Sequence, residues 1–388
     1  MPTSLVRSVA TCRTAFALLA FIGLPAAEVI EAGPASPVAT EADKGATGIA
    51  DEAPRQPKNE FVVIPTPSYN PTLGAMLTVM GMYAYRPDPA QAKPWTAGVA
   101  GFGAQNGSWG AFAFNRAVLA DDTWRVMAVA GYVDVRYDYY GVGDSPLQDD
   151  PVELRQRVAI AGGKVLREFA DNLYLGPVAN LRGIRVSSDD GPAVGVETSQ
   201  SIAGVGLGGE YDTRDQDFKP HAGWFVQAQW VEQFASDVHI GPVEADGPSY
   251  GTAYLRVNRY QPLAESTTLA LRFATQYASA STPFYDLPTL GGGSKDLRGY
   301  SGEYRDRVMA AVQAEVRQDL PYRFGVVGFA GIGAVEETYA DLIDSSLHPS
   351  LGTGLRYLVA TENRINAALD FAWGDQGWAW YLSAGEAF

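Results

Sequence analysis

Cysteine, histidine and long apolar runs are scarce in this sequence, and so is net positive charge. The single cysteine, Cys12, lies within the first dozen residues. A disulfide framework and a cysteine-ligated metal are therefore excluded for the chain that follows. The three histidines, His221, His239 and His348, fall in different turns and loops without metal-ligand spacing, so no metal and no cofactor is expected. Lysine and arginine number 29 against 44 acidic residues, a net charge of −15. No basic patch stands out, which argues against nucleic acid as a partner. No stretch reaches eighteen consecutive apolar residues, the longest being the run around Ala15–Leu24. If the chain enters a membrane, it does so as a closed barrel and not by helices, since only those two forms satisfy the backbone in hydrocarbon.

What is abundant points to strands. Forty-two glycines, twenty tyrosines, sixteen phenylalanines and eight tryptophans accompany 46% hydrophobic residues, with a mean hydropathy of −0.09. Such a composition suits many β-strands and little helix. Arg7 and Arg13 precede Ala15–Leu24, and Pro25, Ala26 and Ala27 follow it, the shape of a secretory signal over residues 1–27. Cleavage could fall at Ala26, Ala27 or Ala32. Cys12 precedes the apolar run, so it is not a lipid-attachment site. Residues 28–59 are rich in Ala, Pro, Glu and Asp without apolar periodicity, and read as a disordered periplasmic segment.

From residue 60 onward one theme repeats: an alternating segment, a turn, another alternating segment. Ile365, Ala367, Leu369, Phe371 and Trp373 fall on one side of a strand, and Asn366, Ala368, Asp370 and Ala372 on the other. Leu269, Leu271 and Phe273 similarly oppose Thr268, Ala270, Arg272 and Gln276. Met127, Val129, Val133 and Val135 oppose Ala128, Ala130, Asp134 and Arg136, which places Asp134 and Asp138 with Asp370 among acids expected to wet the lumen. Segments start near Phe61, Ala75, Trp95, Trp109, Trp124, Arg155, Leu173, Ile202, Trp224, Gly251, Thr267, Val308, Phe324, Ser350, Ile365 and Ala379. Sixteen is an even number, as a bacterial outer-membrane barrel requires. Turns at Asp121, Asp171, Glu265 and Thr361 are short and share one end. The connections at the other end, including Ser281 to Arg307, are long. Tryptophans 95, 109, 124, 224, 378 and 380 sit near segment ends, as girdle aromatics do. A soluble propeller or sandwich alternates in the same way. The leader, the turn asymmetry and the terminal Phe388 favour an all-β fold, a 16-stranded antiparallel transmembrane β-barrel over residues 60–388.

The segment GGGSKDLRGYSGEYRD, from Gly291, is Gly-rich, charged and irregular. Its Leu297, Arg298, Gly299 and Tyr300 match the V/I/L-R-G-F/Y tip that resembles the hallmark of the BamA/TamA family, the bacterial surface antigen superfamily. Asp212, Thr213, Arg214, Pro220 and Gly223 resemble that family's D-T-R-D…P-x-G turn. LGTGLRY from Leu351, with an aromatic strand closing on Phe388, resembles its C-terminal assembly signal. The resemblance implies that the sixth external loop folds into the lumen and that Arg298 pairs with a luminal acid. Alternation in the strand from Val308 puts Glu315 on the luminal side, and Glu315 is the expected partner. Where the family carries F-x-D-x-G, this chain has Gly331, so one acidic partner of Arg298 is missing from that strand.

The same resemblance implies a role in insertion, assembly or translocation of outer-membrane components in a Gram-negative outer membrane, with outer-membrane lipids as surroundings. The family's periplasmic POTRA modules find no counterpart in residues 28–59, so a separate periplasmic protein or lipoprotein would supply their function to an accessory subunit. The alternative is a passive diffusion pore or structural barrel. Pro65 and Pro67 near the first edge cannot donate ladder hydrogen bonds, so the seam between first and last strands should pair poorly. GVGLGG at Gly204 satisfies a dinucleotide pattern but leads into no helix. Ser236, Asp237 and His239 form no convincing hydrolytic set, and no enzymatic activity is expected.

Overall fold

Alternation of side chains at period two makes each segment a strand, and the turn residues between them set antiparallel neighbours. The computed structural model describes residues 59–388 except 71–72, 88–94, 144–150, 189–196, 217, 237, 241–242, 292–295, 361–363 and 376. The expected signal segment and all but Asn59 of the 28–59 segment lie outside the described residues, as does Asp237. The strands are β1 (Glu60–Asn70), β2 (Gly74–Tyr85), β3 (Trp95–Ala104), β4 (Trp109–Leu119), β5 (Trp124–Tyr139), β6 (Val152–Ala170), β7 (Leu173–Ser188), β8 (Glu197–Asp212), β9 (Gly223–Ala235), β10 (Val238–Ile240), β11 (Val243–Ala245), β12 (Ser249–Ala264), β13 (Thr267–Ala278), β14 (Thr289–Gly291), β15 (Ser301–Arg305), β16 (Val308–Asp319), β17 (Phe324–Glu336), β18 (His348–Ala360), β19 (Ile365–Gly374) and β20 (Gly377–Ala384).

Sixteen of them form a closed antiparallel barrel in chain order, from β1 to β9, then β12, β13 and β16 to β20. β20 returns to β1 through Ser68 opposite Tyr381 and Tyr69 opposite Trp380. The short pair β10–β11 extends an external connection along β8. The pair β14–β15 lies within the long connection between β13 and β16. No helix among the described residues is long and apolar enough to cross a membrane.

The outer wall carries the apolar rows. Leu77, Val79, Val99, Leu181, Leu207, Leu271, Phe273, Leu355 and Phe371 are exposed, flanked by Trp109, Trp124, Trp224, Trp373 and Trp378 near strand ends. Rows of this kind face acyl chains, with the aromatics at the two interfaces. Inside, Gln227, Asn258, Arg272, Gln313, Glu315, Arg317, Arg356 and Asp370 are buried.

Strand β5 departs from the expected orientation. Val133 and Val135 are buried in the interior, and Met127 and Val129 pack against the same cluster. Asp134 sits on the opposite, outward face, held by Arg155 of β6 at 2.8 and 2.7 Å, and Asp138 is exposed on that face. Asp134 and Asp138 therefore do not line the lumen. The physical reason lies in what fills this side of the barrel. Met76, Met80, Phe102, Phe112 and Phe114 give β2–β4 an apolar inner wall, and Phe284, Tyr285 and Leu287 of the long connection pack onto its upper part. The inward set of β5 must match that apolar filling, while its outer face needs only small or interfacial residues.

Candidate functional site

The connection from Ser279 to Arg307 enters the barrel through three charged anchors. Asp286, in a single turn of 3-10 helix (Phe284–Asp286), accepts Arg182 of β7 at 2.7 and 2.5 Å and the Tyr250 hydroxyl of β12 at 2.6 Å. Asp296, with no exposure, takes Arg256 at 2.8 and 3.2 Å and Gln276 at 3.1 Å, with Arg272 at 3.8 Å. Two residues on, Arg298 is 1% exposed and turns toward an adjoining sector of the wall. Its Nη2 is 2.6 Å from Glu315 of β16, its Nη1 2.8 Å from Asp370 of β19, and its Nε donates to Gln313 at 3.1 Å. The guanidinium lies 3.4 Å from the centre of the Phe329 ring of β17. A planar fork with five donors suits this arrangement, and a lysine does not.

Neighbours in the motif hold the arginine in place. Gly299 has φ +97°, and a β-carbon there would stand 3.2 Å from the Trp373 and Gly374 backbone. Both facts favour glycine. The Gly299 amide donates to the Tyr381 hydroxyl at 3.2 Å, which ties the loop tip to β20. Tyr300 donates to the Pro349 carbonyl at 2.6 Å and receives the Asp375 amide at 3.3 Å. Burial pushes its hydroxyl above the ordinary tyrosine value, so it stays a neutral donor. Leu297 is buried with Leu290, Met309 and Ala311. A β-carbon at Gly331 would meet Leu297 Cδ1 at 2.8 Å. The position where the family pattern has an acid thus makes room for the loop's leucine, and Asp370 supplies a second carboxylate from another strand.

Beneath the loop the ion pairs continue. Glu315 accepts Arg317 at 2.7 Å, and Asp370 accepts Arg356 at 2.6 Å. Arg356 also reaches Glu386 at 2.7 Å, and Asn366 donates to Glu386 at 2.6 Å. Arg298, Arg317 and Arg356 therefore meet Glu315, Asp370 and Glu386, three cations with three anions. Such balance is what makes buried charge tolerable. Glu386 belongs to the segment after β20, which turns into the barrel. Phe388 is buried with Phe225, Tyr260, Ala270 and Ala387. Its ring lies 4.6 Å from the Arg272 guanidinium, and its carbonyl oxygen accepts Arg317.

The turn between β8 and β9 is built by its own residues. Asp212 takes Arg214 at 2.8 and 3.0 Å. Thr213 Oγ1 accepts the Trp224 amide at 3.0 Å, Pro220 is buried, and Gly223 has φ +109°. Arg214 lies over Phe225 at 3.7 Å, so the turn borders the cluster that receives Phe388 without touching the Arg298 network.

Sequence reasoning did not find Asp296, the Asp370 contact to Arg298, or the inward course of residues 385–388. Asp370 carried a signal, since the alternation of β19 puts it on the inner face. Which arginine it would meet depends on strands that are distant in sequence.

A comparison with curated proteins finds no match. Among solved structures, the fold is similar to BamA from Haemophilus ducreyi lacking POTRA domains 1–3 (TM-score 0.56, 13% identity, 84% of this chain and 70% of that one). It is also similar to CdiB from Acinetobacter baumannii (TM-score 0.53, 14% identity, 84% and 59%) and CdiB from Escherichia coli (TM-score 0.53, 12% identity, 85% and 63%). The chain spans less than two thirds of either CdiB chain. At these identities the likeness concerns the fold alone. The model of the Omp85 superfamily domain matches residues 151–388, which include the luminal loop, the turn after β8 and the closing strand. With that match over more than half its length, this outer-membrane β-barrel belongs to the Omp85 superfamily.

Proposed function

We propose that this barrel inserts, assembles or translocates outer-membrane components, working at the junction of β1 and β20 in the outer membrane of a Gram-negative bacterium. The observation that carries the reading is the brevity of that junction. β1 has eleven register pairs with β2 and two with β20. Among the described residues, Glu60 to Pro67 have no register partner on β20: the register carries Pro65 to Pro67 past Leu382 to Ala384 without a ladder, and beyond Ala384 the chain bends inward to Glu386 and Phe388. Pro65 and Pro67 remove two amide donors from β1, while its ladder with β2 runs past both of them. A sheet edge with unused hydrogen-bonding groups is a template for an added strand. The assembly role implied by the family supports this use of the edge. In the same reading the chain acts as an accessory subunit, with a separate periplasmic protein or lipoprotein delivering clients.

The test is a reversible lock. Tyr69→Cys with Trp380→Cys, in a Cys12→Ser background, joins the register pair that closes the barrel. The oxidised protein in proteoliposomes is expected to lose insertion of an unfolded client barrel and to regain it on reduction, with neither single variant affected. Unchanged insertion by the oxidised form would sink the reading. A steady conductance with no effect on client insertion in any form would favour a passive pore or structural barrel instead.

A further inference from the structure

Pro65 and Pro67 fix which way the backbone groups of β1 face. In an antiparallel ladder, opposed residues alternate between pairs that exchange two N–H···O bonds and pairs that exchange none, so each residue turns its N–H and C=O to one neighbouring strand only. β1 runs beside β2 in eleven unbroken register pairs, with Pro65 opposite Val79 and Pro67 opposite Leu77. A proline has no N–H, so neither of these is an exchanging pair. The exchanging pairs with β2 are therefore those of the even residues, among them Thr66 with Thr78 and Ser68 with Met76. The odd residues, Pro65 and Pro67 included, turn their backbone groups to the β20 side.

The ladder with β20 ends where that geometry requires. Its register pairs are Tyr69 with Trp380 and Ser68 with Tyr381. Carried on, the same register brings Pro67 beside Leu382, Thr66 beside Ser383 and Pro65 beside Ala384. β20 reaches that far, since Leu382, Ser383 and Ala384 are all paired with β19. Strand length is not what stops the ladder. Beyond Tyr69 the next exchanging position is Pro67, which has no N–H to give the Leu382 carbonyl, and a pair between Thr66 and Ser383 depends on that same bond. At the external end, by contrast, the Tyr69 and Trp378 rings stack with centres 5.3 Å apart. Among the described residues, the seam is fastened at its external end and without a ladder toward the periplasm.

We propose that Pro67, backed by Pro65, is the stop that ends this ladder and reserves the periplasmic half of the seam for an added strand. The inference rests on the seam being the working junction, as proposed above. Beside the two prolines an entering strand donates N–H groups to their carbonyls and receives none, and only at Phe61 and Val63 does the edge offer donors as well. Such one-sided pairing is weaker than a full ladder, so a strand held by it is readily released.

The test restores the missing N–H groups one at a time. Both prolines are exposed on the outer wall, so valine, a good strand former, leaves the lumen untouched. Both variants should keep heat-modifiable migration, the sign of a folded barrel. The ladder zips from Ser68 toward the periplasm. Pro67→Val is therefore expected to add the pairs at positions 67 and 66, and Pro65→Val alone to add none, because Pro67 still stands before it. In amide hydrogen exchange of the barrel in nanodiscs, the new amide at position 67 should exchange at least about tenfold more slowly than the new amide at position 65 in its own single variant. Insertion of a urea-unfolded eight-stranded barrel into proteoliposomes should fall about tenfold in Pro67→Val, the effect of two added hydrogen bonds, and stay within about twofold in Pro65→Val. The proposal is overturned if the two new amides exchange alike, or if Pro65→Val slows insertion as much as Pro67→Val does. Slow exchange at position 67 with insertion unimpaired, there and in the disulfide-locked barrel, would overturn the seam as the working junction and with it the reserved role, while leaving Pro67 as the end of the ladder.

Discussion

Arg298 and Asp370 are 72 residues apart in sequence and meet at 2.8 Å inside the barrel. Through that contact, and the one to Glu315, the external loop is fastened to β16 and β19 together. Because Asp370 and Glu315 also hold Arg356 and Arg317, any change at the loop tip reaches the segment that follows β20.

Replacing Arg298 by Ala leaves the two carboxylates short of one cation in a buried network, which typically costs about 3–5 kcal/mol. The expected outcome is release of the loop, measured as protease cleavage within residues 279–307 in proteoliposomes and a larger, noisier conductance in planar bilayers. Arg298→Lys should not rescue, because an ammonium cannot serve Gln313, Glu315 and Asp370 at once. Full protection of the loop in the Lys variant would show that charge alone suffices.

Gly299→Ala tests the backbone apart from the charge. A positive φ in a non-glycine residue costs roughly 1–3 kcal/mol, and the added carbon meets the Trp373 and Gly374 backbone at 3.2 Å. The loop should become cleavable although Arg298 is intact. An alanine variant as resistant as the original would mean that the tip is not held in this conformation.

Phe388→Ala removes a ring that stacks on the Arg272 guanidinium and fills the cluster with Phe225 and Tyr260. Loss of a buried aromatic in a packed site typically costs about 3–5 kcal/mol. The temperature at which the refolded barrel loses its compact migration on gels should fall. This readout separates a packing role from the assembly-signal role, which acts on biogenesis and not on the finished barrel.

Asp306, in the loop just before β16, has its carboxyl raised above the ordinary range, chiefly by burial, with Glu337 and Asp341 adding to it. The folded loop therefore binds this proton more tightly than the released loop does. Its stabilising contribution is full below the ordinary carboxylate value of about 3.9 and is lost as pH rises through the raised folded value. Loop protection should weaken as pH rises above about 4. Asp306→Asn should flatten that dependence, and an unaltered pH profile in the Asn variant would exclude Asp306 as its source.

The inverted wall of β5 is also open to measurement. A fluorophore on Ala128→Cys should be quenched by brominated acyl chains, and one on Met127→Cys should not. Ala128→Arg should destabilise by about 2–4 kcal/mol if the position is near the bilayer midplane.

Strand number and approximate strand starts were legible in the sequence because a strand is a local object, declared by alternation and bounded by its turns. The sixteen expected starts fall within five residues of the observed ones, with the largest differences at Val152 and Glu197, where strands run on beyond the membrane into the long connections. Alternation also put Glu315 and Asp370 on inner faces. For β5 it chose the wrong face, because Met127, Val129, Val133 and Val135 are apolar enough for lipid and equally suited to a packed interior. What decided that strand was the filling of its half of the lumen by side chains of β2–β4 and of a loop distant in sequence, which no window of sequence contains. The pairing of Arg298 with Asp370, of Asp296 with Arg256, and the inward turn after β20 were decided in the same way. Charges buried inside a closed wall must be neutralised by whatever partners the register brings within reach, and register around a closed barrel is a property of the tertiary structure.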